Sequence, residues 1–82
     1  MTVFKTLDIR GLSFFSGYEQ TLEAIREVKI DGVLELILDS EKNFTHAFKK
    51  WAHSEGHRAT DLNDGNRIIR LFIRKLNLHK KK

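Results

Sequence analysis

Val33-Leu34-Glu35-Leu36-Ile37-Leu38 is a run of strand length in which Glu35 is the single charged residue. The turn signal Asp31-Gly32 precedes it and the polar segment Asp39-Ser40-Glu41-Lys42 follows it. A short, nearly continuous apolar run bounded in this way reads as a strand buried inside a sheet. The period of two puts Leu34, Leu36 and Leu38 on one face and Val33, Glu35 and Ile37 on the other.

Upstream of this strand, Tyr18, Leu22, Ile25 and Val28 recur at helical spacing, with Glu19, Glu23, Arg26 and Glu27 between them. Ser16 and Glu19 have the spacing of a capping box, so the predicted helix opens at Ser16 and closes near Lys29. Val3 to Ile9 reads as a strand in front of it. Downstream, Asn43 is the predicted cap of a second helix. Its stripe is Phe44, Ala47, Phe48, Trp51 and Ala52, and Gly56 is its stop. Arg58 to Leu62 reads as a third strand and Arg67 to Lys75 as a fourth. Asn63-Asp64-Gly65-Asn66 between them is a hairpin signal, because Asp-Gly tolerates the positive φ of a type I′ turn.

The order is β-α-β-α-β-β. A connection that contains a helix makes the first two strands parallel, and a tight turn makes the last two antiparallel. Each helix has one apolar stripe, so both are expected on the same face of the sheet. The predicted fold class is α/β, a two-layer sandwich. If Ile69, Leu71 and Ile73 face the helices, then Ile68, Arg70, Phe72 and Arg74 face outward, with Phe4 beside them.

The chain has 82 residues, and a domain near this size buries only about 60% of the surface its unfolded chain exposes. One core fits, without a large internal pocket. Cysteine is absent, which excludes a disulfide, a thiolate metal site and a thiol nucleophile. No long apolar run or secretory leader pattern occurs, so a cytoplasmic protein without a membrane span is expected. His46 and His53 lie two helical turns apart, about 10.5 Å along the axis and too far to share one metal ion. His57 is read as a helix cap. No metal site and no cofactor is predicted. The net charge is +4, and from Arg67 to Lys82 seven basic residues occur with no acidic one.

Four stretches in order carry a resemblance. They are Asp8-x-Arg10-Gly11-Leu12, Trp51-Ala52, Gly56-His57 and Phe72-Ile73-Arg74-Lys75. With them the chain resembles the TusA/SirA-like sulfur-carrier family over nearly its whole length, residues 1–75 forming the TusA-like domain and 76–82 a basic tail. The resemblance implies a four-stranded mixed sheet with two helices on one face. In that family the Asp-x-Arg-Gly-Leu segment leads into Cys-Pro-x-Pro, whose cysteine carries a persulfide to a partner. Here Phe14 stands at the cysteine position, Phe15 at the first proline and Gly17 at the second. A phenyl ring cannot hold sulfur, and the hydroxyls of Ser13 and Ser16 cannot replace a thiolate in persulfide transfer. The segment Asp39-Ser40-Glu41-Lys42 also lacks the family's proline and is one residue longer.

The expected function is therefore that of a non-catalytic protein-binding or regulatory module related to sulfur carriers, with no enzymatic activity of its own. Its partner is expected to be another protein, met through the Phe14-Phe15 loop and Arg10. One alternative is an RNA-binding module that uses Arg70, Phe72, Arg74, Lys75 and the tail, with arginines and an aromatic ring on one strand face. Another is a subunit of a sulfur-relay complex whose reactive cysteine a partner supplies. Pairing of two copies through the open sheet face is a further expectation. Asp8 and Arg10, flanking Ile9, are expected to pair at the end of the first strand.

Overall fold

The computed structural model describes residues 3–76, so the terminal lysines Lys80, Lys81 and Lys82 lie outside the described residues. The elements are β1 (Val3–Asp8), α1 (Phe14–Glu27), β2 (Val33–Asp39), a 3-10 turn (Ser40–Lys42), α2 (Thr45–Ser54), β3 (Arg58–Gly65) and β4 (Ile68–Arg74). They form a four-stranded sheet in the order β1-β2-β4-β3. β1 runs parallel to β2, while β2 with β4 and β3 with β4 are antiparallel. The α/β fold with a mixed sheet is thus the predicted one.

The pattern of burial follows the alternation along β2. Leu34, Leu36 and Leu38 are fully buried and stand opposite Ile73, Leu71 and Ile69 of β4. Ile25 and Val28 at the end of α1, and Phe48 and Ala52 of α2, close over the same leucines in one cluster. Burying a Leu side chain is worth about 1.5–3 kcal/mol, and this row accounts for much of the domain's cohesion. On the outward face Val33 is also buried, at 2% exposure, between β1 and the end of β4.

The first helix differs from its predicted course. It opens two residues before Ser16: Ser13 is the N-cap, and its hydroxyl accepts from the Ser16 amide at 3.1 Å. Phe14 and Phe15 are therefore helical residues, not loop. The buried stripe turns accordingly to Gly17, Thr21, Ala24 and Ile25, and Tyr18 and Leu22 are half-buried. Gly17 decides this rotation. A Cβ there would meet Ile9 Cδ1 at 3.1 Å, so a glycine lets α1 lie close on the end of β1. Thr21 is tolerated in the core because its hydroxyl donates to the Gly17 carbonyl at 2.8 Å. The helix ends at Glu27, short of Lys29.

Asn43 does not cap α2. It adopts φ 56° after the 3-10 turn, and the chain enters the helix through Phe44 with no side-chain cap. Asparagine tolerates the left-handed region, which is what the short turn requires. Ala47 is exposed, not part of the stripe. The hairpin turn is displaced as well. Gly65 closes a bulge at φ 78°, and Asn66 and Arg67 form the turn with φ 53° and 64°. The glycine takes the bulge position that only it occupies without strain, which moves the turn two residues on.

One lysine joins the layers. Lys75 follows β4, and its ammonium donates to the carbonyls of Ile25 at 2.9 Å and Val28 at 2.8 Å. It satisfies orphan acceptors at the C-terminus of α1, where a cation also meets the helix dipole favourably. Its backbone bonds Asp31 and Gly32 in the turn that follows the helix. Lys75→Met is expected to cost about 1–2 kcal/mol. For a domain this small that lowers Tm by roughly 4–8 °C per kcal/mol. An unchanged melting curve would refute the capping role.

Candidate functional site

The segment from Asp8 to Phe15 is held from three directions. Arg10 turns back onto Asp8 as a fork: Nε donates to Oδ1 at 2.9 Å and the terminal nitrogen to Oδ2 at 2.7 Å. The Arg10 amide donates to the same carboxylate at 3.0 Å. The predicted pair therefore forms, although Arg10 lies in the turn beyond β1. The guanidinium holds the Asp8 carboxyl below its ordinary value of 3.8, against the opposing effect of burial. Both side chains are more than 40% exposed, so the fork sets geometry more than stability.

From β2, Asp39 accepts the Gly11 amide at 2.9 Å, with Gly11 at φ 82°. From the 3-10 turn, Lys42 donates to the Leu12 carbonyl at 3.1 Å. The acidic segment thus has a place: it clamps the loop that delivers the chain into α1. Arg67 holds the same turn from the hairpin side through Glu41 at 2.8 Å.

The clamp presents two phenylalanines in different ways. Phe14 leans onto α2 and makes ring contacts with Phe44 and Phe48, both at 5.2 Å between centroids, and with Tyr18 at 5.9 Å. Tyr18 in turn meets Trp51 edge-on at 6.0 Å. Phe14 is 36% exposed and belongs mainly to this aromatic seam between the helices. Phe15 is 68% exposed and points away from the seam. A hydrophobic staple under the helix is not built, because with Ser13 as N-cap the position that would receive Leu12 is Gly17. Ser13 Oγ is engaged as the cap acceptor. The corner holds no nucleophile suited to covalent sulfur chemistry.

The basic residues of β4 lie elsewhere, on the open face of the sheet and at its end. Arg70 bonds Glu35 of β2 at 2.8 Å and Asp64 of the bulge at 2.8 Å. These two carboxylates, Asp64 first, raise its pKa further. Thr6 donates to the other Glu35 oxygen at 2.9 Å, so a polar row crosses the face from β1 to the hairpin. Arg74 is exposed and reaches the Asp31 carbonyl at 3.3 Å. Phe72 is half-buried and lines a small hollow with Val33, Arg58, Thr60 and Arg74. Lys75 is occupied under α1, as described. Of the four candidate nucleic-acid contacts, Phe72 and Arg74 share a surface, whereas Arg70 and Lys75 are held by partners within the chain. A lone Glu35 in an apolar strand is the signal in the sequence that foretells the row, since a half-buried carboxylate needs a cation opposite.

His57 does not cap α2 with its side chain. Its Nδ1 accepts the Leu76 amide at 3.1 Å, and its ring stands edge-on to Trp51 at 6.3 Å. Among the described residues, no group of three or more His, Cys, Asp and Glu side chains is placed to hold a metal ion. No described helix is long and apolar enough to cross a membrane.

No protein-family model matches the chain, and no curated protein matches it. A solved structure does. The crystal structure of a SirA-like protein from Desulfitobacterium hafniense superposes with a TM-score of 0.77. The two sequences are 20% identical, and the match covers 90% of this chain and 100% of the other. The chain therefore has the SirA-like fold.

Burial pushes the His57 pKa down from its ordinary 6.5, with Lys75 adding to the shift and Glu55 opposing it. The folded protein thus favours the neutral ring, whose Nδ1 can accept. Its contribution is full above pH 6.5 and is lost as the pH falls from there towards the lowered folded value, because only the unfolded chain takes up the proton. His57→Gln keeps an acceptor that does not titrate. Thermal melts at about pH 7.5 and pH 5.5 are expected to show a smaller acid-induced loss in the variant than in the parent. Equal losses would dismiss His57 as the sensitive group.

Proposed function

We propose that this protein is a non-catalytic, protein-binding relative of the sulfur carriers, with the N-terminal turn of α1 as its contact surface. The observation that carries the reading is Phe15, an aromatic side chain left 68% exposed on the first turn of α1, directly after a loop that is clamped by Asp39, Lys42 and the Asp8–Arg10 fork. Large exposed aromatics on rigid supports are the usual anchors of an interface, since they offer area at low entropic cost. In this reading Phe14 and Phe15 stand where sulfur carriers have their cysteine and first proline. The corner of the fold that meets a partner is kept in this reading, and the covalent step is dropped. Phe14 supports the surface from below, and Arg10 borders it.

RNA binding through β4 is the weaker reading. Arg70 is already neutralised by Glu35 and Asp64, and Lys75 is committed to α1. Phosphate contacts would have to come from Arg74, its cross-strand neighbour Arg58 and residues outside those described.

Two measurements test the proposal. Incubation with a cysteine desulfurase and labelled cysteine is expected to leave this chain unlabelled, while Phe14→Cys, with its thiol on the first turn of α1, acquires label. Covalent label on the parent chain would overturn the non-catalytic reading. Phe15→Ser is expected to leave Tm unchanged and to abolish capture of the nuclease-resistant partner from a lysate. Phe14→Ser is expected to lower stability by about 2–4 kcal/mol through loss of the aromatic seam. Capture that survives Phe15→Ser would remove the contact surface.

A further inference from the structure

A groove runs between α2 and the outer strand β3, on a part of the molecule separate from Phe15. Its helical wall is His46, Lys49, Lys50 and His53, and its floor is the consecutive stretch Arg58, Ala59 and Thr60. His57 closes one end. Two features of this groove are independent of each other.

The first is the floor. β3 is the last strand in the order β1-β2-β4-β3 and pairs only with β4 among the described residues. Side chains along a strand alternate between faces, so consecutive residues can line one groove only where it reaches the strand's edge. Arg58 and Thr60 also line the small hollow on the opposite, open face of the sheet. The free edge of β3 is thus accessible between two depressions. No proline or bulge blocks Arg58 to Asn63. An unpaired edge of this kind is a template for an added strand.

The second is charge. Lys50 and Arg58 make no ion pair among the described residues. Lys49 is balanced by Asp61 at 2.7 Å, and Glu55 is the acidic group near His57. The wall is therefore cationic in excess, and two imidazoles, His46 and His53, add donors on the same side.

We infer that β3 and α2 together receive an extended acidic segment of a partner protein, which joins the sheet as a fifth strand. Backbone hydrogen bonds to the β3 edge supply the register. Alternate side chains of the added strand point towards α2, where carboxylates meet Lys50, His46 and His53. The other set points to the open face, where Leu62 is 53% exposed. The preferred sequence is thus acidic at every second position and apolar between. The inference stands whether or not Phe15 is a contact.

The test uses a soluble peptide of about eight residues that alternates Glu with Val or Thr, labelled for fluorescence anisotropy. At low salt, binding is expected, with slowed amide exchange along Arg58 to Asn63. The same peptide with alternate backbone nitrogens methylated keeps its charge and loses strand pairing, so its affinity is expected to drop at least roughly tenfold. Lys50→Glu is expected to weaken the parent peptide several-fold. Arg26→Glu, the same charge change on an exposed position of α1, is expected to leave it nearly unaffected. Both variants are checked for an unchanged melting curve. If Lys50→Glu melts early, the methylated peptide and the exchange pattern decide alone. Equal binding of the methylated peptide, unaltered β3 exchange, or no binding at low salt would each overturn the proposal. Displacement of the peptide by single-stranded RNA together with insensitivity to methylation would assign the groove to a polyanion instead.

Discussion

The pairing of β2 with β4 is the constraint on which the rest of the molecule depends. Among the described strands, β2 alone has neighbours that differ in direction, parallel β1 on one side and antiparallel β4 on the other. Its three leucines and their partners on β4 make a dry row that both helices need, because neither helix has another apolar surface to cover. On the opposite face the same two strands set Glu35 beside Arg70, so one register fixes the core and the polar row at once. A slip of one residue would expose the leucines and bury the ion pair, two errors that reinforce each other. The functional corner inherits this rigidity, since Asp39 at the end of β2 is what accepts the Gly11 amide.

Much of this was legible in the sequence, and the parts that were not have physical reasons. The alternation of β2 and β4 and the stripe of Phe44, Phe48, Trp51 and Ala52 announce the sheet, its covered face and the second helix. The ends of elements were harder. Ser13 and Ser16 are both sound caps by residue type, and only the close approach of Gly17 to Ile9 selects Ser13. Asp64-Gly65 carries a strong turn signature, yet Gly65 serves the bulge and the turn moves to Asn66-Arg67. In the site, the Asp8–Arg10 pair was visible from spacing. The split between a seated Phe14 and an exposed Phe15 depended on where the helix begins. The role of Lys75 could not be read, because it joins residues 47 to 50 positions apart along the chain.

Phe14 occupies the first position of α1. A phenyl ring there cannot stay in water cheaply, and here it finds Phe44, Phe48 and Tyr18 within ring-contact distance. The seam between the helices extends by one ring, and the helix start becomes a structural element. Gly17 has the complementary effect. A proline in its place would have no N–H, whereas the Gly17 amide here donates to Ser13 at 3.0 Å and closes the first turn. The two residues act in the same direction: both secure the start of α1 as a capped helix end.

The basic residues show how misleading a count of charges along the chain can be. The run from Arg67 onward looks like a polyanion site, but its described members are mostly engaged within the fold. Arg67 holds Glu41, Arg70 holds Glu35 and Asp64, and Lys75 holds α1. A cation with a fixed internal partner has given up most of the field it could offer to an incoming anion. Cations without an ion pair among the described residues also occur where the sequence shows no cluster: Lys50 of α2 and Arg58 of β3 meet at one groove across the turn at Gly56. That turn needs the left-handed φ of 85° which a glycine supplies, and His57 beyond it closes the groove against Trp51. This positive groove is therefore a product of the α2–β3 corner, and it faces the free edge of β3, which pairs without a bulge from Arg58 to Asn63.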